Sequence, residues 1–324
     1  MKVRDRQSFL SVCLWLANVG LACAQAVEFP TAPITIVVPF AAGSGTDQTA
    51  RAMAQSLTEE FGATIVIDNR GGANGILAAQ HVAQAKPNGY TLLLTTNTTQ
   101  VANQHLYKKL PYDPVKDFQP IGLIGRGSMF LVVNASSKMK TVDDLLKTAR
   151  ASPGKLNFGS GSSSSLVGSE LLKQMANLQV TSVPYKSNPQ AVNDLMGGQI
   201  DYMFLDSSTA LPLIRAGRLH PLAVSAATRS KAAQEVPTVA EAGLPGFEVT
   251  YWNAVYAPAG VAPDILDKLA KLIAGAALSK RMVLRQESLG SEALTSTPGE
   301  LADYQASEVR TWGRIIQAAG IEPE

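Results

Sequence analysis

The sequence predicts an α/β protein with a mainly parallel sheet, built in two similar halves. Three observations carry that reading. Short apolar runs of strand length alternate with segments whose apolar residues recur at helical spacing. A glycine- and serine-rich strand-to-helix loop occurs once in each half. Apolar residues make up 46% of the chain and charged ones only 17%, which supplies a large core for a globular protein and excludes a disordered one.

Ahead of the first strand stands a segment of different character. Lys2, Arg4 and Arg6 precede the apolar run Phe9 to Ala22, and Ala22-Cys23-Ala24 follows with small residues. This is the pattern of a secretory signal peptide, assigned to residues 1–26, with cleavage after Ala24 or Ala26. The run is too short for a membrane-spanning helix. Gly20-Leu21-Ala22-Cys23 also loosely resembles a lipoprotein processing site that would make Cys23 a lipid-bearing first residue; this is the lesser reading, because Gly20 stands where Leu or Val is usual. A protein that works outside the cytoplasm is expected.

Removing Lys2, Arg4, Arg6 and Asp5 from the 28 basic and 26 acidic residues leaves 25 of each. A mature chain without basic excess is not expected to bind nucleic acid or a membrane surface. Both cysteines, Cys13 and Cys23, fall in the leader region. A chain cut at Ala24 then has no thiol for a disulfide, a cysteine nucleophile or a zinc-thiolate site.

The elements follow in order. Ile34–Val38 reads as a buried strand. Asp47 to Phe61 is a helix, with Ala50, Met53, Ala54, Leu57 and Phe61 on one face and Gly62 as its stop. Ala63–Ile67 is a strand, Gly75–Lys86 a helix and Tyr90–Thr95 a strand. The second series runs strand Phe130–Val133, helix Val142–Ala151 and strand Leu156–Phe158, then a serine-rich loop and a helix. Asn188-Pro189 reads as an N-cap with proline at the first helical position, opening a helix that ends at Gly197-Gly198. Ile200–Phe204 is a strand leading to Asp206. Phe247 to Tyr256 is extended, and helical patterns then run to the C-terminus. Domain 1 is expected at 27–127 and 249–324, and domain 2 at 128–248. The crossings, near Gly125–Ser128 and Gly246–Val249, predict a two-strand hinge.

The two loops carry the chemistry. The first is Pro39-Phe40-Ala41-Ala42-Gly43-Ser44-Gly45-Thr46-Asp47; the second is Gly159-Ser160-Gly161-Ser162-Ser163-Ser164-Ser165. Glycines let backbone approach a ligand, helix starts offer free N–H groups to an anion, and hydroxyls add rotatable donors. Neither loop has the lysine of a phosphate loop, and Gln48 stands where a dinucleotide fingerprint needs its third glycine. One such loop is an ordinary turn with capping serines; two matched loops predict a cleft for a small carboxylate. Asp47 is expected to order its loop by accepting backbone N–H bonds. Asp206 either meets a ligand cation or hydroxyl, or caps the helix starting at Ser207.

Catalysis finds little support. The serine loop lacks G-x-S-x-G. A serine nucleophile needs a base, and His81, His105 and His220 are scattered, without metal-ligand spacing either. No enzyme activity, cofactor or metal is expected. Tyr112, Tyr185, Tyr251 and Trp252 read first as packing residues, while Phe40 is the candidate aromatic wall of a pocket.

Across its mature length the chain resembles the Bug/TctC family, the extracytoplasmic solute receptors of tripartite tricarboxylate transporters. The resemblance rests on FPTAPITIVVPFAAGSGTD, VIDNRGGANG, KPNGYTLLL, LYKKLPYDPVKDFQP, GKLNFGSGSS, VPYK, LMGGQIDYMF, VPTVAEAGLPGFE, APAG and WGRIIQAAGI, in that order. It implies a type II periplasmic-binding-protein fold, two α/β domains that close on one carboxylate, gripped by both loops partly through ordered waters. By position it implies binding by Phe40, Gly43, Ser44, Gly45, Thr46 and Asp47, and by Ser160, Gly161, Ser162, Ser163 and Ser164. Thr95, Asn97 and Asp206 would shape the distal pocket. The chain departs from the family pattern at Ala41-Ala42-Gly43-Ser44, where Pro-Pro-Gly-Gly or Ala-Pro-Gly-Gly is common, and at Leu166-Val167, where many members carry a histidine. The implied partners are a dicarboxylate, aromatic acid or amino acid and the permease subunits of a transporter, with the receptor a monomer. A sensor kinase is the alternative partner, and a secreted serine hydrolase the rival class.

Overall fold

The computed structural model describes residues 29–324. The expected signal peptide, its cleavage site and both cysteines lie outside the described residues. All elements below belong to the unit Ala32–Glu324.

β1 (Ile34–Val38) lies between β2 (Ile65–Asn69) and β3 (Thr91–Thr96), all parallel. Its apolar residues are needed because both faces are covered, and Ile36, Val37 and Val38 are fully buried. α1 (Gly45–Phe61) starts two residues before the expected Asp47, because the Ser44 hydroxyl accepts the Asp47 N–H and caps it. Ala50, Met53 and Leu57 are buried as the periodicity predicts, whereas Phe61 is 42% exposed at the helix end. The expected helix 75–86 is a one-turn 3-10 segment (Ala73–Gly75) followed by α2 (Ile76–Ala83). β3 runs into a π turn (Thr98–Ala102) and α3 (Asn103–Leu106), neither of which the periodicity revealed.

β4 (Phe118–Asn134) joins the two series. Phe118 to Ser128 pair antiparallel with β9 (Thr250–Pro258). From Met129 the same strand pairs antiparallel with β7 (Tyr202–Asp206) and β8 (Leu219–Val224). Strand order is β2-β1-β3-β9-β4-β7-β5-β6, where β5 is Asn157–Ser160 and β6 is Thr181–Pro184; β8 and β10 (Ser291–Ala293) also pair with β4. The sheet is therefore mixed rather than mainly parallel: β1–β3 and β5–β7 are parallel, and every partner of β4 is antiparallel. Ser225 fastens the crossing, accepting the Met129 N–H at 2.8 Å and donating to the Val249 carbonyl at 2.6 Å. Ser225 thereby ties Met129, just after the first expected crossing, to Val249, at the end of the second.

α4 (Val142–Ala151) has the expected limits, set by a capping box between Thr141 and Asp144. α5 (Ser163–Met175), α6 (Asn188–Met196) and α7 (Ser207–Arg215) follow β5, β6 and β7. The N-cap position of α6 is Ser187 rather than Asn188, without a side-chain capping bond, which puts Pro189 at the second helical position. The C-terminal series is α8 (Pro263–Ala277), α9 (Lys280–Ser288) and α10 (Pro298–Ala318). α10 buries Leu301, Trp312 and Ile316. Among the described residues, no helix is long and apolar enough to cross a membrane.

Candidate ligand-binding site

The first loop is held by its own carboxylate. Asp47 Oδ2 accepts the Gly43 N–H at 2.8 Å and the Arg51 guanidinium at 3.0 Å. Gly43 has φ +83, which places its amide for that bond in a region L side chains avoid. Burial pushes the Asp47 carboxyl up, but the Arg51 and Gly43 hydrogen bonds outweigh it and hold the carboxyl below the usual range. Asp47 therefore orders the loop, and the Gly43 N–H is already used. At the start of α1 the Gly45 and Thr46 N–H groups have no intrahelical partner.

The second loop is built alike. Ser162 caps α5 by accepting the Ser165 N–H, and the Ser165 hydroxyl donates to the Phe204 carbonyl at 2.7 Å. The Gly161 N–H donates to Asn188 Oδ1 at 3.1 Å. Ser163 and Ser164 lie in the first turn of α5. Their hydroxyls bond across to the other series: Ser163 donates to Asn103 Oδ1 at 3.2 Å, and Ser164 accepts from Asn97 Nδ2 at 3.1 Å. The Ala41 N–H meets Ser187 Oγ at 3.3 Å.

Asp206 does cap α7. Its Oδ1 accepts the Thr209 N–H at 3.0 Å, the Thr209 hydroxyl at 2.8 Å and the Ser208 hydroxyl at 2.6 Å. It also lines a cavity, which holds about 460 Å³ of empty space including its mouth. Four helix starts meet there: Ser44, Gly45 and Thr46 from α1, Ser162 and Ser164 from α5, Ser187 and Asn188 from α6, and Asp206 and Ser208 from α7. Thr96, Thr98 and Asn253 add polar groups; Phe40, Met129 and Tyr251 add apolar surface. Among the described residues, Asp206 is the one charged side chain in this lining. Thr98 Oγ1 and Asn253 Oδ1 are buried with no hydrogen-bond partner among the described residues. Burial, then the Asp206 charge, pushes the Tyr251 phenol up to about 12, so it is protonated at neutral pH. Its oxygen lies 3.2 Å from Ser207 Oγ and 3.1 Å from Ser291 Oγ.

Seven of the fourteen expected residues line this cavity: Phe40, Ser44, Gly45, Thr46, Ser162, Ser164 and Asp206. Gly43, Asp47, Gly161 and Ser163 sit behind it, holding the loops through the bonds above. Ser160 ends β5, and Asn97 supports Ser164. Thr95 faces away, its hydroxyl 2.7 Å from that of Thr99, and its strand neighbour Thr96 takes the lining position, as the two-residue period of β3 requires. Asn188 and Ser187 escaped notice as site residues because β6 was not recognised; with it, Ser187-Asn188-Pro189 becomes a third strand-to-helix turn. Tyr251, read as packing, lines the cavity, while Trp252 is fully buried. His105 and His220 have ring nitrogens on the Val309 and Lys140 carbonyls, and none of the three histidines lines the cavity.

A convergence of helix N-termini and hydroxyls without a cation suits an anion that is small and singly gripped. Residues 49–321 match the family described as tripartite tricarboxylate transporter family receptor, TctC. The chain belongs to this family. A relative from Pseudomonas sp. strain P51, the UPF0065 protein in the tcbD-tcbE intergenic region, is 38% identical, with 93% of this chain and 92% of the relative covered. Among solved structures, R. palustris Rpa4515 with adipate has a TM-score of 0.89 and 34% identity, covering 92% of this chain and all of that one. The periplasmic binding protein BugD has a TM-score of 0.88 and 30% identity over 91% of this TctC-family chain and all of its own. MatC from Rhodopseudomonas palustris with bound malate has a TM-score of 0.84 and 32% identity, covering 89% and 100%. The fold is thus that of the periplasmic binding proteins, two α/β parts joined through shared strands with a ligand cleft, as the family resemblance implied.

Proposed function

We propose that this TctC-family chain is a periplasmic receptor that captures a small carboxylate and delivers it to the membrane subunits of a tripartite transporter. The observation that carries the reading is the meeting of four helix N-termini, from α1, α5, α6 and α7, around one cavity lined, among the described residues, by no lysine or arginine. A carboxylate there takes N–H groups of Gly45, Thr46 and Ser164, and hydroxyls of the serine-rich turns, in place of water. Domain 1 (27–127 and 249–324) and domain 2 (128–248) each supply part of that grip. Ligand therefore favours the closed arrangement, because only there are both sets of contacts made. The carboxylates bound by Rpa4515 and MatC support the substrate class. The 1–26 leader is removed on export, and the receptor acts as a monomer without catalysis.

The test is a thermal-shift screen of the mature protein against aliphatic diacids, aromatic acids, amino acids and pyridine carboxylates. A ligand at a hundred times its Kd adds about 2.7 kcal/mol to folding stability and raises the melting point. No shift with any carboxylate, together with turnover of a model ester, overturns the reading. Mass spectrometry of the exported protein reads the cleavage site.

A further inference from the structure

Asp206 makes two different kinds of contact with its two oxygens. Oδ1 is saturated by three donors, all from the first turn of its own helix. That alone satisfies the cap, since one side-chain oxygen on the N–H groups of the first turn is what a helix start needs. Oδ2 takes none of these hydrogen bonds, and Asp206 lines the cavity. A second acceptor points the same way. Asn253 is 4% exposed and lines the same cavity, and its Oδ1 is without a partner among the described residues.

These acceptors sit in a cavity otherwise furnished with donors. Backbone N–H groups at four helix starts attract a negative group; Asp206 and Asn253 ask for a hydrogen-bond donor. Two carboxylates brought together out of water repel, and one of them must take up a proton to coexist. A ligand that placed a second carboxylate against Asp206 would bear that cost, with no cationic side chain among the described residues of the lining to offset it.

We propose that Asp206 is a specificity residue: it selects a carboxylate that also bears a hydroxyl or ammonium donor, over one bearing only methylene or a second carboxylate. This rests on the receptor reading above and narrows its substrate class. The donor bonds Asp206 Oδ2; Asn253 Oδ1, from the lining of the same cavity, is a second acceptor.

The test compares ligands matched in length. Calorimetry measures butyrate and succinate against 2-hydroxybutyrate, 4-hydroxybutyrate, 2-aminobutyrate and 4-aminobutyrate, then the corresponding six-carbon compounds. The wild-type protein is expected to bind at least one donor-bearing acid tenfold or more tightly than its donor-free and dicarboxylate counterparts. The hydroxy and amino arms show which donor is taken. In Asp206→Asn the cap is kept, because asparagine serves as well at a helix start. Preference for the donor should fall about ten- to hundredfold, the range for a hydrogen bond to a charged group. Succinate should bind no more weakly than before. If carboxylates bind but the wild-type ranking ignores the donor, or Asp206→Asn leaves the ranking unchanged, this inference fails and the receptor reading stands. If no carboxylate of either set binds, both fall. Should Asp206→Asn not fold, the wild-type ranking alone decides.

Discussion

Gly45 and Asp206 are in backbone-to-side-chain contact across the cavity: a Cβ at Gly45 would overlap Asp206 Oδ1 and crowd Ser208 Oγ. The two residues stand at the starts of α1 and α7, so their contact sets how closely these helix N-termini approach. The missing side chain is thus what lets both helix starts face one small cavity. Gly45→Ala must push the start of α7 away from that of α1, an overpacking cost of about 1–3 kcal/mol that the better helix propensity of alanine only partly offsets. The expected result is a lowered unliganded melting point, with carboxylate affinity at least tenfold lower. Calorimetry and small-angle scattering, with and without ligand, read the two effects. An alanine variant that binds and closes like wild type would show that the contact is dispensable.

The glycines of the two loops should respond differently to alanine. Gly43 has open space around its α-carbon but a φ of +83, so alanine there meets backbone strain of roughly 1–2 kcal/mol and no clash. Gly161 is packed against the backbone of Ser187 and Asn188, and its N–H holds Asn188 Oδ1. Alanine there must push β5 and the start of α6 apart, an overpacking cost of about 1–3 kcal/mol. Urea unfolding should place Gly161→Ala below Gly43→Ala in stability. The reverse order would mean the turn before α6 yields easily. Gly161 is accordingly a poor choice for a variant meant to lose binding and keep its fold.

The strand-to-helix rhythm made the fold readable, because buried parallel strands must be apolar throughout and α1 must keep one apolar stripe. The loop starting at Gly159 was readable as a site for the same reason Ser44 was: serine before a helix has a physical task. What stayed hidden depends on contacts distant in sequence. Nothing local to Thr95 and Thr96 says which of the two faces the ligand; the register of β3 against β9 decides it, setting Thr95 opposite Ala254 and Thr96 opposite Asn253. Asn253 lies in a run that reads simply as a buried strand. β4 changes partners at Met129 with no break in its own pattern, so its length was invisible where only residues 130–133 looked like a strand. Asp206 left two readings open, and its two oxygens allow a cap and a cavity contact together.

Asp47 makes a prediction for acid stability. Its carboxyl is held below the usual range, so the folded state binds its proton less readily than the unfolded chain. The stabilisation is therefore complete above the unfolded value of about 3.9 and is lost as pH falls through the lower folded value. Asp47→Ala leaves the Gly43 N–H without its acceptor and should cost about 1–3 kcal/mol at pH 7. Asp47→Asn keeps an acceptor and should cost less, because Arg51 is largely solvent-exposed and its charge is screened. Below pH 4, both variants should lose stability less steeply than wild type. Parallel curves for all three would mean that Asp47 does not carry the loop.

Glu308 has the opposite sign. It is half-buried on α10, where it accepts the Trp252 indole N–H at 3.1 Å. Burial pushes its carboxyl above the usual glutamate range, and the bonds from Trp252 and Trp312 only partly offset this. Between the ordinary glutamate value and the raised one, the folded state holds a proton that the unfolded chain has released. Stability from this group therefore rises as pH falls through that window, and its charge weakens the fold above it. Glu308→Gln keeps an acceptor for Trp252 and removes the charge. The variant should melt higher than wild type at pH 7, with the difference shrinking toward pH 4. Because Trp252 lies between Tyr251 and Asn253 on β9, ligand affinity of the variant should stay within about threefold of wild type if the indole remains held. A lower melting point at pH 7 would show instead that the ionised carboxylate is the better partner for the indole, and that its hydrogen bond outweighs the cost of burying the charge.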